Sequence, residues 1–305
     1  MATELRRGFG MAVMRVNAGE ALPGDLWRRA AGLPQGAPVI VMLHGYRYSP
    51  RSPAHDPHRH ILSPEATPGV PSWPRALGFQ NRPGEGLGIA FGWEARGSLQ
   101  GAYARAGQVG ADLGGLVSEL AAQAGRPVGL IGHSLGGRVA LQALAGAEAG
   151  SVGRVILLNG AEFRDAAAEA MERPAGAGAE VINVTAREND LFDFGLEQLL
   201  ARGRRRALGC GLAQARPNWV DLQIDHAATL DALAELGFPT ARGSRLMSHW
   251  TTFRRDGLFD LYRTALCHPW ALPLGLLRLH LPDGPQPRWS RLLPRSAARD
   301  APLRA

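Results

Sequence analysis

Leu130-Ile131-Gly132-His133-Ser134-Leu135-Gly136-Gly137-Arg138-Val139-Ala140 places a strand end, a turn and a helix start directly one after another. The short apolar run Pro127–Ile131 precedes the turn. A helical Ala/Leu/Val pattern follows it, from near Gly136 to Ala147. A chain that passes from strand to helix without a loop must reverse sharply at the middle residue. Gly132 and Gly136, two positions either side of Ser134, leave room for that close approach. Ser134 is thereby lifted out of the sheet edge, with the positive end of the helix beneath it. A serine so placed can be activated by a base and attack a carbonyl. The plainer alternative is a glycine-rich turn in which Ser134 only caps the helix.

Strand and helix signals alternate outward from this stretch. Pro38–Leu43 is a continuous apolar run, as expected of a parallel strand covered on both faces. Strands are also expected over 87–93, 154–158 and 180–185. Trp219–Ile224 alternates and suits an edge strand. Helices are expected over 99–124, 161–171, 191–202, 227–236 and 257–266. This alternation predicts an α/β protein with a mainly parallel sheet and helices on both faces, its functional loops along the strand C-termini. Residues 47–75, rich in Pro and His, read as a long loop. From about 268 onward Pro and Arg dominate, which predicts a loosely attached tail.

The composition narrows the function. Of 305 residues, 45% are hydrophobic and 20% charged, as in a packed globular protein. The 34 basic residues are all arginine and give a net charge of +7, a balance that invites a polyanion-binding reading. No nucleic-acid recognition motif accompanies it. Arginines 202, 204, 205 and 206, with the arginine excess of the last twenty residues, account for the whole surplus, leaving the middle of the chain near neutral. The total absence of lysine beside abundant Ala, Gly and Pro points to biased codon usage. Cys210 and Cys267 have no metal-ligand spacing and make no disulfide framework, so a reducing compartment is expected. No apolar stretch approaches the length of a membrane span, and no signal-peptide pattern follows Arg6 and Arg7, which predicts a cytoplasmic protein.

Three motifs taken together resemble the α/β-hydrolase superfamily: His44-Gly45-Tyr46 after the first parallel strand, Phe91-Gly92-Trp93 with Arg96-Gly97-Ser98, and Gly132-His133-Ser134-Leu135-Gly136. In particular they are similar to a poorly characterised bacterial group of serine hydrolases with HGY and GHSLGG motifs. The resemblance covers residues 38–266. It implies an α/β-hydrolase domain over 38–267, an N-terminal strand/helix extension over 1–37, and a Pro/Arg-rich tail over 268–305. Only about twenty residues lie between the strands at 154–158 and 180–185, so no large cap domain is expected.

The resemblance also implies the order Ser, acid, His. Asp190 follows the 180–185 strand and is the expected acid, which would accept the imidazole Nδ1–H and fix its tautomer. It could instead cap the helix starting at Leu191. Glu188, Asp193 and Glu162 are lesser candidates. His249, before the last amphipathic helix, is the favoured base, and His226, after the 219–224 strand, is the alternative. The N–H groups of Tyr46 and Leu135 are the expected oxyanion donors, and His44 is expected to be structural. The cluster His55-Asp56-Pro57-His58-Arg59-His60 lacks a fixed ligand geometry, and neither a metal nor a cofactor is expected. These residues together predict a serine hydrolase cleaving a carboxylic ester or thioester of a small-molecule substrate. The alternative is a non-catalytic binding or scaffold protein that keeps the fold.

Overall fold

The computed structural model describes residues 12–65, 69–82, 84–243 and 246–291. Its centre is a seven-stranded, wholly parallel sheet: β1 (Val13–Asn17), β2 (Val39–Leu43), β3 (Leu87–Gly92), β4 (Val128–His133), β5 (Val152–Leu158), β6 (Glu180–Thr185) and β7 (Trp219–Gln223), in the spatial order β1-β3-β2-β4-β5-β6-β7. β2 shows why the central runs are continuously apolar. Val39, Val41 and Leu43 face one layer and Ile40 and Met42 the other, and none is more than 1% exposed.

One layer holds α1 (Leu26–Ala31), α3 (Leu99–Ala124), α4 (Leu135–Gly146), α5 (Arg164–Glu172) and α6 (Pro174–Gly178). The other holds α2 (Trp73–Ala76), α8 (Ala227–Glu235), α9 (Thr251–Arg254), α10 (Leu258–Cys267) and α11 (Leu274–His280). Helix α7 (Asp190–Ala201) lies beyond the carboxyl edge of β6. α3 and α4 meet almost backbone to backbone. A Cβ on Gly114 would come within 2.5 Å of the Gly146 carbonyl carbon, and one on Gly110 within 2.7 Å of the Val139 carbonyl oxygen. That contact seats α4, and with it the turn at Ser134, firmly on the sheet.

The chain runs from β2 outward to β3 and then crosses back over β2 to β4. The direction of winding therefore reverses between β2 and β4, and the crevice at their carboxyl ends is where an open α/β sheet takes its ligands. His44-Gly45-Tyr46 and the Ser134 turn both open into that crevice. No described helix is long and apolar enough to cross a membrane.

The segment after 268 departs from the expectation of a loose tail as far as it is described, to residue 291. Leu272, Leu274 and Leu277 are buried in the α10 layer. Arg154 donates to the Leu272 carbonyl at 2.9 Å, and the Arg288 guanidinium, 4% exposed, pairs with Asp193 of α7 and donates to the Gly209 carbonyl at 2.7 Å. Arg187 lies 4.8 Å over the Trp289 ring. Arginine and proline mask this packing in the sequence because the buried leucines are few and the remaining anchors are ion pairs and carbonyl contacts. The rest of the tail, 292–305, lies outside the described residues. Removing one partner of a buried ion pair strands the other, which must stay charged without a counterion or take up a proton, so Arg288→Ala is expected to cost about 3–5 kcal/mol of stability. Urea denaturation of the two proteins measures it.

Candidate active site

Ser134 sits at φ 55° and ψ −123°, a conformation that L-residues rarely adopt. Three backbone hydrogen bonds hold it there. Its N–H donates to Leu158 O at 3.0 Å, and its carbonyl accepts from Gly137 N at 2.9 Å and Ala161 N at 2.8 Å. The flanking glycines are needed for the turn. A Cβ on Gly136 would strike the Leu43 and His44 carbonyls, and one on Gly132 the Gly136 backbone. Gly45 is equally constrained, since a Cβ there would come within 2.8 Å of both the His133 carbonyl oxygen and Ser134 Cβ. The two motifs thus press their backbones together, which no larger residue would permit.

A sharp strand-to-helix turn after β4, beside the switch point of a parallel sheet, completes the architecture. The fold is that of an α/β-hydrolase. No family model and no curated protein matches the sequence. Among solved structures the chain is similar to the mature form of the lipase BlEst2 from Bacillus licheniformis, with 18% identity, 62% of this chain and 84% of that chain covered, and a TM-score of 0.35. It is likewise similar to TT1662 from Thermus thermophilus, with 14% identity, coverage of 79% and 92%, and a TM-score of 0.40. MenH from S. aureus gives 11% identity, coverage of 82% and 96%, and a TM-score of 0.36. These likenesses are distant, and the fold stands on the sheet order and the turn at Ser134.

A cavity of about 420 Å³ opens at the crevice, lined on its polar side by Ser134, Tyr46, His133, His249 and Asn159, with Leu135 beside them. Leu99, Leu191, Phe192, Leu196, Leu199 and Trp250 line its walls. Leu135 is the first residue of α4, so its N–H has no acceptor within the helix. Tyr46 follows Gly45 in the opposite turn, and its hydroxyl donates to Gly97 O at 2.5 Å.

His249 reaches the cavity on the loop before α9, with its ring 4.6 Å from Phe192 and 4.6 Å from His133. Its carbonyl accepts from His133 Nε2 at 2.9 Å and from Asn159 Nδ2 at 3.0 Å. The residue next to Ser134 in the turn therefore also holds the loop that brings His249 in. Ser248 N donates to Glu188 O at 2.8 Å, and Glu188 is ion-paired with Arg255 at 2.7 Å. Burial, then the neighbouring His133, keep the His249 imidazole well below its usual range and hence neutral at neutral pH. His226 does not line this cavity. It stands at the N-cap of α8.

The expected contact between Asp190 and His249 is not formed. Asp190 accepts from Ser290 N and Ser290 Oγ, both at 2.6 Å. The partner of His249 Nδ1 is instead Asn189 Oδ1, at 2.6 Å. Asn189 lies beside Asp190, at the end of the short helical turn Arg187–Asn189, and as an uncharged amide it carries no triad signal in the sequence. The lesser acids are also placed. Glu188 serves Arg255, Glu162 accepts from Tyr103 and Arg138 in the α3 layer, and Asp193 lines the cavity from α7.

His44 is fully buried and stacked 5.5 Å from Trp93. Its Nε2 accepts from Trp93 N at 3.0 Å, so the proton is on Nδ1, which donates to Gly45 O at 3.0 Å. Burial lowers its pKa to about 3, and with its lone pair engaged it ties β2 to β3 rather than handling protons. In the 55–60 stretch, His58 Nε2 contacts Asn17 Oδ1 at 2.8 Å, Asp56 caps the His58 amide, and His55 Nδ1 contacts Ser52 Oγ at 3.1 Å. These side chains diverge into separate local bonds, and no described group of three or more His, Cys, Asp or Glu side chains could hold a metal.

Proposed function

We propose that the protein is a serine hydrolase that cleaves a carboxylic ester or thioester carrying an apolar acyl group. The observation that carries this reading is that Ser134, held at φ 55°, and His249, kept neutral by burial, line one mostly apolar cavity together with Tyr46 and Leu135 of the two facing turns. Ser134 Oγ attacks the carbonyl carbon while His249 Nε2 takes its proton. The charge developing on the carbonyl oxygen is met by the N–H groups of Tyr46 and Leu135. The tetrahedral species collapses, His249 returns the proton to the departing alcohol or thiol, and the acyl group remains on Ser134. Water, deprotonated by His249, then attacks the acyl-enzyme; the bond to Ser134 Oγ breaks, His249 returns the proton to Oγ, and the acid is freed.

A fluorophosphonate probe is expected to form an adduct that peptide mass spectrometry locates on Ser134. Folded protein that stays unlabelled would favour the non-catalytic scaffold reading. The walls predict chain-length selectivity as well. Each methylene buried against Leu191, Phe192, Leu196 and Trp250 gains about 0.8 kcal/mol, or roughly fourfold in kcat/KM, until the cavity is filled. A series of p-nitrophenyl esters from acetate to octanoate measures this. A flat series would remove the apolar acyl group from the proposal.

A further inference from the structure

A chain of buried hydrogen bonds runs away from the cavity behind His249. Asn189, 1% exposed, accepts at Oδ1 from the imidazole Nδ1 at 2.6 Å and donates from Nδ2 to Asp193 Oδ1 at 3.1 Å. Asp193, 3% exposed, uses its other oxygen to pair with Arg288. Arg288 is held in turn by the Gly209 carbonyl. A Cβ on Gly209 would overlap both the guanidinium and the carboxylate, so the pair is packed against backbone on that side.

The direction of each bond follows from what its members can do. A carboxylate only accepts, so Asp193 compels Asn189 to present its NH₂ inward. The amide oxygen then faces His249, which compels the imidazole to carry its proton on Nδ1. The Nε2 lone pair is left bare, as a general base requires. Without Asp193 the amide would be equally content reversed, with Nδ2 donating to a bare Nδ1 and the proton on Nε2. We infer that Asp193, acting through Asn189, is a positioning residue that fixes His249 in its Nδ1–H tautomer. The inference rests on reading His249 as the general base.

Asp193→Asn tests the chain with almost no change of volume. Arg288 can only donate, so it takes the single oxygen of the new side chain. The new NH₂ then faces Asn189 and turns it over. The expected result is a His249 that carries its proton on Nε2, seen in the ¹⁵N shifts of the labelled imidazole, with kcat lowered by about tenfold or more and KM unchanged. The double variant Asn189→Asp/Asp193→Asn transposes the carboxylate onto His249. It is expected to restore both the Nδ1–H tautomer and most of the rate, a rescue that a merely structural Asp193 would not allow.

Protonation of Asp193 should act like Asp193→Asn. Burial pushes its pKa up to about 6 despite Arg288, with Glu197 and Asp190 on the same helix adding to the rise and the Asn189 hydrogen bond opposing it. Glu197 is itself paired with Arg206, and Asp190 is held by Ser290. The wild-type rate is therefore expected to fall as pH drops through about 6, and the double variant to lose that limb. An Asp193→Asn protein that keeps the Nδ1–H tautomer and the wild-type rate would overturn the inference, as would a double variant no better than the single one. A tautomer that switches in a protein whose Ser134 takes no fluorophosphonate would support the relay and strike the hydrolase reading alone.

Discussion

Ser134→Ala is expected to lower kcat by about six orders of magnitude, the size of effect seen when a serine nucleophile is removed and only binding and oxyanion contacts remain. The substitution keeps the Cβ that fits against Gly45 and changes no backbone bond, so the turn at φ 55° should persist. The variant should bind a non-cleavable ester analogue with the wild-type Kd and unfold at the wild-type Tm. Hydrolysis of p-nitrophenyl butanoate and probe labelling, measured on both proteins, give the answer. A variant that still turns over within tenfold of the wild type would remove Ser134 from the chemistry.

The second large effect separates the two candidate bases. His249→Ala is expected to reduce kcat by about 10⁴–10⁶-fold, because serine and histidine act as one unit and losing either costs nearly as much as losing both. His226→Ala should leave kcat unchanged, since that side chain stands at the start of α8 and does not line the cavity. Steady-state rates of the two variants decide between them, and the reverse outcome would transfer the role to His226. Burial, and then the neighbouring His133, hold the His249 imidazole well below its usual range.

The parts of the molecule legible in the sequence are those fixed by neighbours along the chain. The Ser134 turn is one, because strand, glycines, serine and helix follow one another without interruption. The central strands are another, since burial on both faces leaves unbroken apolar runs such as Val39–Leu43 and Val155–Leu158. The partner of His249 was not legible. Asp190 and Asn189 are adjacent and equally suited to the turn. What separates them is Ser290, a hundred positions away, which takes both oxygens of Asp190. Asp193 is only one of several candidate acids in the sequence, and its place behind Asn189 is fixed by Arg288, far along the chain. The docking of the 268–291 segment escaped notice for the same reason. Its three buried leucines are set among arginines and prolines, and its polar anchors are single long-range contacts that leave no period in the sequence.

The clamp of Arg288 and Ser290 on α7 also orders events in time. Ribosomes make the chain from its N-terminus, so the Ser134 turn and six parallel strands are synthesised well before β7 and the loop carrying His249. Arg288 comes later still. Until it arrives, Asp193 has no counterion, and the elements behind His249 lack their last fastening. The residues of the serine turn are thus made early, and the arginine that closes the relay behind His249 is made late. On the proposed reading, a chain that stops short of Arg288 would carry Ser134 without the clamp that completes the setting of His249.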